Sequence, residues 1–205
     1  MDAHDVAARL ARPGRLWSRA DVLGRPCLVP AHPGVYGWYF KPLPYPIDTT
    51  RCATYGDLAL LYVGIAPKAP PRNGRPASRR TLRSRIRYHY RGNAAGSTLR
   101  LMLGCLLAER LGIQLRRVGS GNRLTFADGE QGLSTWMADN AFVTWVETDS
   151  PWLVEGQLID LLRVPLNLDQ NWQHPFHEQL AWRRCCVWST RGMLKPRCRS
   201  GVRSP

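Results

Sequence analysis

Carboxylates are scarce in this chain. Fifteen Asp+Glu stand against 29 Lys+Arg in 205 residues, a formal net charge of +14. An excess of that size draws polyanions to the surface. Nucleic acid is therefore the first partner to consider and an anionic membrane surface the second. Long apolar runs are missing too. The longest, residues 58–66, is too short to span a bilayer. Residues 1–10 carry Asp2, Asp5 and Arg9 where a signal peptide would have its apolar core, so a cytoplasmic protein is expected. The cysteines, at 27, 52, 105, 185, 186 and 198, include no Cys-x-x-Cys pair, which argues against a zinc ribbon. Cys185 and Cys186 are adjacent and suit neither a disulfide framework nor a thiolate cage. A site from His174, His177 and either of them follows the spacing of no common zinc finger. Internal repeats and low-complexity tracts are absent. A hydrophobic content of 44% is what remains, enough to build a core for one domain with its elaborations.

Residues 1–10 read as a short helix, and 11–33 as irregular, punctuated by Pro13, Gly14, Gly24, Pro26, Pro30 and Pro33. Residues 34–40 (GVYGWYF) predict a first strand and 58–65 (LALLYVGI) a second, buried on both faces. Between them Pro42, Pro44 and Pro46 predict a loop. Residues 66–78 form a Pro- and Arg-rich loop. Ser78 is the expected N-cap of a helix over 79–90 that carries Arg79, Arg80, Arg83, Arg85 and Arg87. The apolar stretch 98–111, followed by Gly112, predicts a core-facing helix. A hairpin is expected around 118–128, one or two helical turns over 133–139, and a third strand over 141–147. Residues 151–163 predict a helix with Ser150 as N-cap, Pro151 at its first position, and Leu158, Ile159, Leu161 and Leu162 on its packing face. From Arg183 a basic tail follows.

Several of these side chains suit the cutting of a phosphodiester. That reaction must take a proton from water, neutralise the phosphate, stabilise added negative charge and hold the parts in line. Glu155 is the candidate metal ligand, because a carboxylate is a hard oxygen donor and Mg²⁺ keeps most of its waters. Taken alone, it reads as a solvated glutamate in a first helical turn. Arg85 is the candidate phosphate clamp, since a guanidinium bonds phosphate bidentately and does not deprotonate. Its offset singles it out: Leu82 and Ile86 share one face at i, i+4, while Arg85 and His89 share the adjacent one. Tyr36 and Tyr62 are candidates for a base and its positioner. A phenol, with a pKa of about 10, needs help from a cation and from a proton acceptor such as His89. The competing reading is two core tyrosines and an exposed histidine. Asn167 follows Pro165, where its amide can bond backbone and steady the neighbouring helix end or a site residue.

In order along the chain, Gly34-Val35-Tyr36, Tyr62-Val63-Gly64, Leu82-x-x-Arg85 with His89, Glu155 on a helix, and Pro165-Leu166-Asn167 resemble the GIY-YIG nuclease superfamily. The resemblance implies an α+β fold: a small three-stranded antiparallel sheet flanked by helices, with loop insertions and a basic C-terminal tail. It divides the chain into an extension at 1–33, a nuclease domain at 34–180 and a tail at 181–205. It implies a DNA endonuclease using a divalent ion, Mg²⁺ with Mn²⁺ as a substitute, bound by Glu155. Tyr36 is then the general base, Tyr62 and Arg85 arrange and stabilise the phosphate, His89 matches a histidine of several endonuclease members, and Asn167 supports the site. Lys68 loosely matches the lysine of the repair branch. The long spacings from Tyr36 to Tyr62 and from Gly64 to Arg85 are closer to restriction-type members, which build DNA contacts from loops and commonly act as dimers. Lys68, Arg72, Arg75, Arg79, Arg80 and Arg83 are expected on the nucleic acid, and the likeness leaves a homodimer open without fixing the oligomeric state. Two other readings stand beside this one: a nucleic-acid-binding module without catalysis, held by phosphate contacts from loop and tail, and a nuclease acting on RNA. The biological role, whether restriction, defence, toxin or repair, has no sequence signal.

Overall fold

The computed structural model describes residues 1–43, 47–73, 75–76, 78–118 and 123–167. The expected tail, with Cys185, Cys186 and Cys198, and the pair His174 and His177 lie outside the described residues. The fold is α+β. Strand β1 (Gly34–Phe40) lies at the centre of an antiparallel sheet, flanked by β3 (Leu58–Ala66) and β6 (Ala141–Glu147). These are the three expected strands. A two-residue strand, β2 (Thr54–Tyr55), adds a fourth at the edge, in the order β2-β3-β1-β6. Every residue of β1 is buried, as its unbroken run of aromatic and apolar residues requires of a central strand covered on both sides.

The sheet's two faces carry separate cores. On one, Tyr36, Trp38, Phe40 and Tyr62 pack under α3 (Leu82–Arg91), α4 (Thr98–Leu111) and α5 (Gly129–Asn140). On the other, Val35, Tyr39, Leu60, Val63 and Ile65 pack against α1 (Ala3–Ala11) and α6 (Glu155–Leu162). A register shift in the β1–β3 pairing falls between Trp38 and Tyr39. It lets Tyr62 and Leu61, neighbours in sequence, both join the first core. Val6 and Leu10 of α1 are fully buried, each contributing roughly 1.5–3 kcal/mol, so the N-terminal helix is part of the second layer. A short helix α2 (Arg19–Leu23) interrupts the stretch expected to be irregular. A two-stranded ribbon, β4 (Arg116–Val118) with β5 (Arg123–Thr125), stands apart from the main sheet.

Three local expectations are corrected. Helix α3 starts at Leu82, capped by Thr81 in a reciprocal pair with Ser84, so Ser78, Arg79 and Arg80 precede it. Thr81 prevails because Pro30 and His32 carbonyls receive the first free N–H groups of a helix starting there, those of Arg83 and Leu82. Residues expected as one helix from Pro151 divide into a 3₁₀ turn (Pro151–Leu153) and α6, and Ser150 makes no side-chain cap. Within α6 the 3.6-residue period puts Leu158, Ile159 and Leu162 on the core and Leu161 off that face, 43% exposed. Among the described residues no helix is long and apolar enough to cross a membrane.

Candidate active site

Tyr36 lies directly opposite Gly64 in the β1–β3 ladder. Its ring crosses the Cα of that glycine so closely that a Cβ there would strike the phenol oxygen and come within 2.6 Å of Cζ. The glycine of the second tripeptide is thus the floor on which the tyrosine of the first one rests. Gly34 has an equivalent reason: a Cβ would strike the Val146 carbonyl oxygen and meet Leu82 Cδ1 at 2.7 Å. Gly64→Ala is expected to push the phenol off its hydrogen bond and lower any turnover that uses this phenol about 100-fold. The fold should persist, since overpacking costs about 1–3 kcal/mol. Turnover measured beside a thermal melt separates the two effects.

The phenol is buried, and its oxygen is 2.8 Å from His89 Nε2. On its other side His89 Nδ1 is 2.7 Å from Ser97 Oγ, which also accepts the backbone N–H of Arg100 as the N-cap of α4. His89 is fully buried. Burial, reinforced by the guanidiniums of Arg85, Arg100 and Arg80, holds its pKa well below the ordinary value. It is a neutral ring at physiological pH, fixed by a hydrogen-bond partner at each nitrogen. Burial also raises the Tyr36 phenol above its ordinary value. Arg85 opposes that rise by its charge and by hydrogen bonding, Glu155 adds to it, and Arg80 lessens it.

Arg85 reaches this phenol from α3, one turn before His89. Its Nη1 donates to the Gly96 carbonyl at 2.7 Å, which fixes one side of the fork. Burial works against its charge, but the Tyr36 phenol, with Tyr62 and Tyr88 beyond it, raises its pKa. The guanidinium is charged throughout the useful pH range. Tyr62 projects onto the same face, its ring edge-on to His89 at 6.1 Å between centroids. Glu155 opens α6, in the opposite layer, and is half-buried. Its charge nonetheless acts on the Tyr36 phenol, so it stands within electrostatic reach of that face. Among the described residues no three His, Cys, Asp or Glu side chains cluster. A cation here would have Glu155 as its acidic ligand, a hard and sparse oxygen set that fits Mg²⁺, which retains its waters.

Asn167 binds the sheet. Its Oδ1 accepts Val63 N–H at 2.9 Å and its Nδ2 donates to Val63 O at 2.6 Å. With Leu166 N–H donating to Leu61 O at 2.9 Å, it closes the side of β3 that β2 is too short to cover. The amide stands in for a strand residue and steadies the backbone between Tyr62 and Gly64.

The basic residues expected on the substrate are all exposed: Lys68, Arg72, Arg75, Arg79, Arg80 and Arg83. Arg80 lies 6.0 Å over the Tyr88 ring, and Arg83 Nε donates to Val29 O at 2.7 Å. Sequence reasoning missed Ser97, Gly96 and the ion pair of Arg100 with Glu130 (2.7 Å, side chains 0% and 14% exposed). Ser97 had a signal, a serine opening an apolar helical run. Glu130 and Arg100 had none, because their partners come together only in the folded chain.

No curated protein and no solved structure matches this chain significantly. A family model for the GIY-YIG catalytic domain matches residues 34–186. That span covers most of the sequence and contains Tyr36, Tyr62, Arg85, His89, Glu155 and Asn167. The chain belongs to the GIY-YIG family of nucleases.

Proposed function

We propose that the chain is a divalent-metal-dependent endonuclease that hydrolyses DNA, with Tyr36 as general base and Glu155 as the ligand of a single Mg²⁺. One observation carries the reading: the Tyr36 phenol oxygen is hydrogen-bonded to neutral His89 and lies in the fields of both Arg85 and Glu155. A phenol is a poor base near neutrality unless its anion is favoured. Arg85 works in that direction, against the larger effect of burial. His89, neutral and pinned by Ser97, orients the phenol without adding a competing charge. In its anionic form, Tyr36 takes the proton of the attacking water and becomes the neutral phenol. Arg85, anchored on Gly96 O, offers its remaining N–H groups to the phosphate as negative charge builds. Tyr62 orients the attacked group from the adjoining strand. Bound at Glu155, Mg²⁺ would neutralise the phosphate and make water more acidic. The exposed arginines of loop 66–80 hold the flanking backbone. A homodimer would supply the second site that a double-strand cut requires.

Incubation with supercoiled plasmid, single-stranded DNA and RNA, each with Mg²⁺, Mn²⁺ or chelator, tests this reading. Nicked and linear plasmid only when metal is present is the expected result. Binding with a steep salt dependence but no cleavage under any metal would overturn it in favour of a binding module, and cleavage of RNA alone would reassign the substrate.

A further inference from the structure

The β4–β5 ribbon has no part in the site described above, yet it is built for contact with an anion. Between residues 110 and 127 the chain carries Arg110, Arg116, Arg117 and Arg123 and no carboxylate. The ladder pairs Arg116 with Thr125, Arg117 with Leu124 and Val118 with Arg123. Strand alternation then puts Arg116, Val118 and Arg123 on one face and Leu124 on the other. Leu124 packs against the core, while Arg116, Val118 and Arg123 are exposed, Val118 by 48%. Charges of either sign would keep an exposed ribbon edge from pairing with other strands. Edge protection therefore does not explain a ribbon with one sign only, in which neighbouring guanidiniums repel each other.

The root of the ribbon is tied to the active site through one carboxylate. Glu130 Oε1 accepts from Thr125 Oγ1 at 3.0 Å and from Phe126 N–H at 3.1 Å, at the end of β5. The same oxygen accepts Ala94 N–H at 2.8 Å, at the start of the turn whose Gly96 carbonyl holds Arg85. Glu130 Oε2 receives Nε and Nη2 of Arg100, whose Nη1 donates to the carbonyl of His89. A partly buried network in which both carboxylate oxygens are bonded is stiff and directional. It sets the base of the ribbon in a fixed place beside Arg85 and His89.

We propose that this ribbon is a substrate arm: Arg116 and Arg123 each engage a phosphate of the nucleic acid away from the scissile one, and Val118 lies against the sugars between them. The inference rests on the nucleic-acid substrate proposed above and adds a surface to it. Anisotropy titrations of a labelled DNA duplex with the full chain, in chelator so that nothing is cut, test the arm separately from catalysis. Each lost phosphate contact lowers the slope of log affinity against log salt by about 0.9. Arg116→Ala/Arg123→Ala is expected to make that slope shallower by about 2 and to weaken binding about tenfold in dilute salt. Arg116→Lys/Arg123→Lys should restore most of the slope. Both substitutions are on exposed side chains, and a thermal melt confirms the fold. An unchanged slope in the alanine variant, with the parent binding normally, overturns the arm alone. Failure of the parent to bind any nucleic acid overturns the arm and the substrate together. Binding with the expected slopes, but no cutting once metal is added, supports the arm and defeats the nuclease mechanism.

Discussion

Glu155→Ala is expected to lower DNA cleavage by about 1,000-fold or more while leaving the chain folded and able to bind DNA. The magnitude follows from what is removed. The charge of Glu155 is felt at the Tyr36 phenol, and among the described residues no cluster of three His, Cys, Asp or Glu stands ready to replace it as a ligand. Losing one preorganised electrostatic element from a site that handles developing charge costs about 10²–10³ in turnover, and losing the ion with it removes the neutralisation of phosphate as well. Stability should change little, because the side chain is half-exposed and caps no neighbouring group. Its favourable interaction with the α6 N-terminus is worth about 0.3–1 kcal/mol. Turnover at saturating metal, binding in chelator and a thermal melt check the three parts. Full activity in the variant would remove the carboxylate from the mechanism.

Tyr36→Phe is expected to lower turnover by about 10²–10⁴-fold, the range of a positioned general base. It keeps the ring that rests on Gly64 and deletes only the oxygen bonded to His89. His89 Nε2 is then left buried without that partner, at a cost of about 1–3 kcal/mol, which a folded domain survives. The change should also appear in the pH profile. Burial holds the phenol above its ordinary value, with Arg85 working in the opposite direction. The base is therefore protonated at neutral pH, and its anion grows tenfold with each unit of rising pH. The cleavage rate of the parent should climb through pH 7–9, about tenfold per unit. His89 adds no inflection in that window, because it is already neutral there. The Phe variant should lose this climb along with its rate. A variant that stays slow but keeps the parent's slope would assign the proton to another group.

How much of this was legible beforehand depends on distance along the chain. Strands β1, β3 and β6 were readable because each is a short run rich in apolar and aromatic residues, and β1, the central one, is buried throughout. Arg85 and His89 could be paired because four residues in a helix are one turn. The start of α3 was misread. Ser78 and Thr81 both suit an N-cap, and the choice between them was made by carbonyls of Pro30 and His32, roughly fifty residues earlier. Gly64 could be seen as part of a tripeptide, but its purpose appears only when β1 pairs with β3 and sets the Tyr36 ring over it. Asn167 was expected to steady a helix end or a site residue. The backbone it bonds is that of Val63, beside Tyr62 and 104 residues away in sequence, a partner no local pattern could name. Glu130 and Arg100 lay outside any motif, since a network spanning α4, α5, the ribbon and the turn at 94–96 has no local periodicity.

The central claim is that Tyr36 and Glu155, which belong to opposite layers of the sheet, act together on one phosphate. Single-turnover cleavage of plasmid by the parent, Tyr36→Phe, Glu155→Ala and the double variant tests it most directly. Groups that act as a unit are strongly non-additive, so the double variant is predicted to be about as slow as the slower single one. If the two losses multiply instead, the residues serve independent steps, and the single-centre account is wrong.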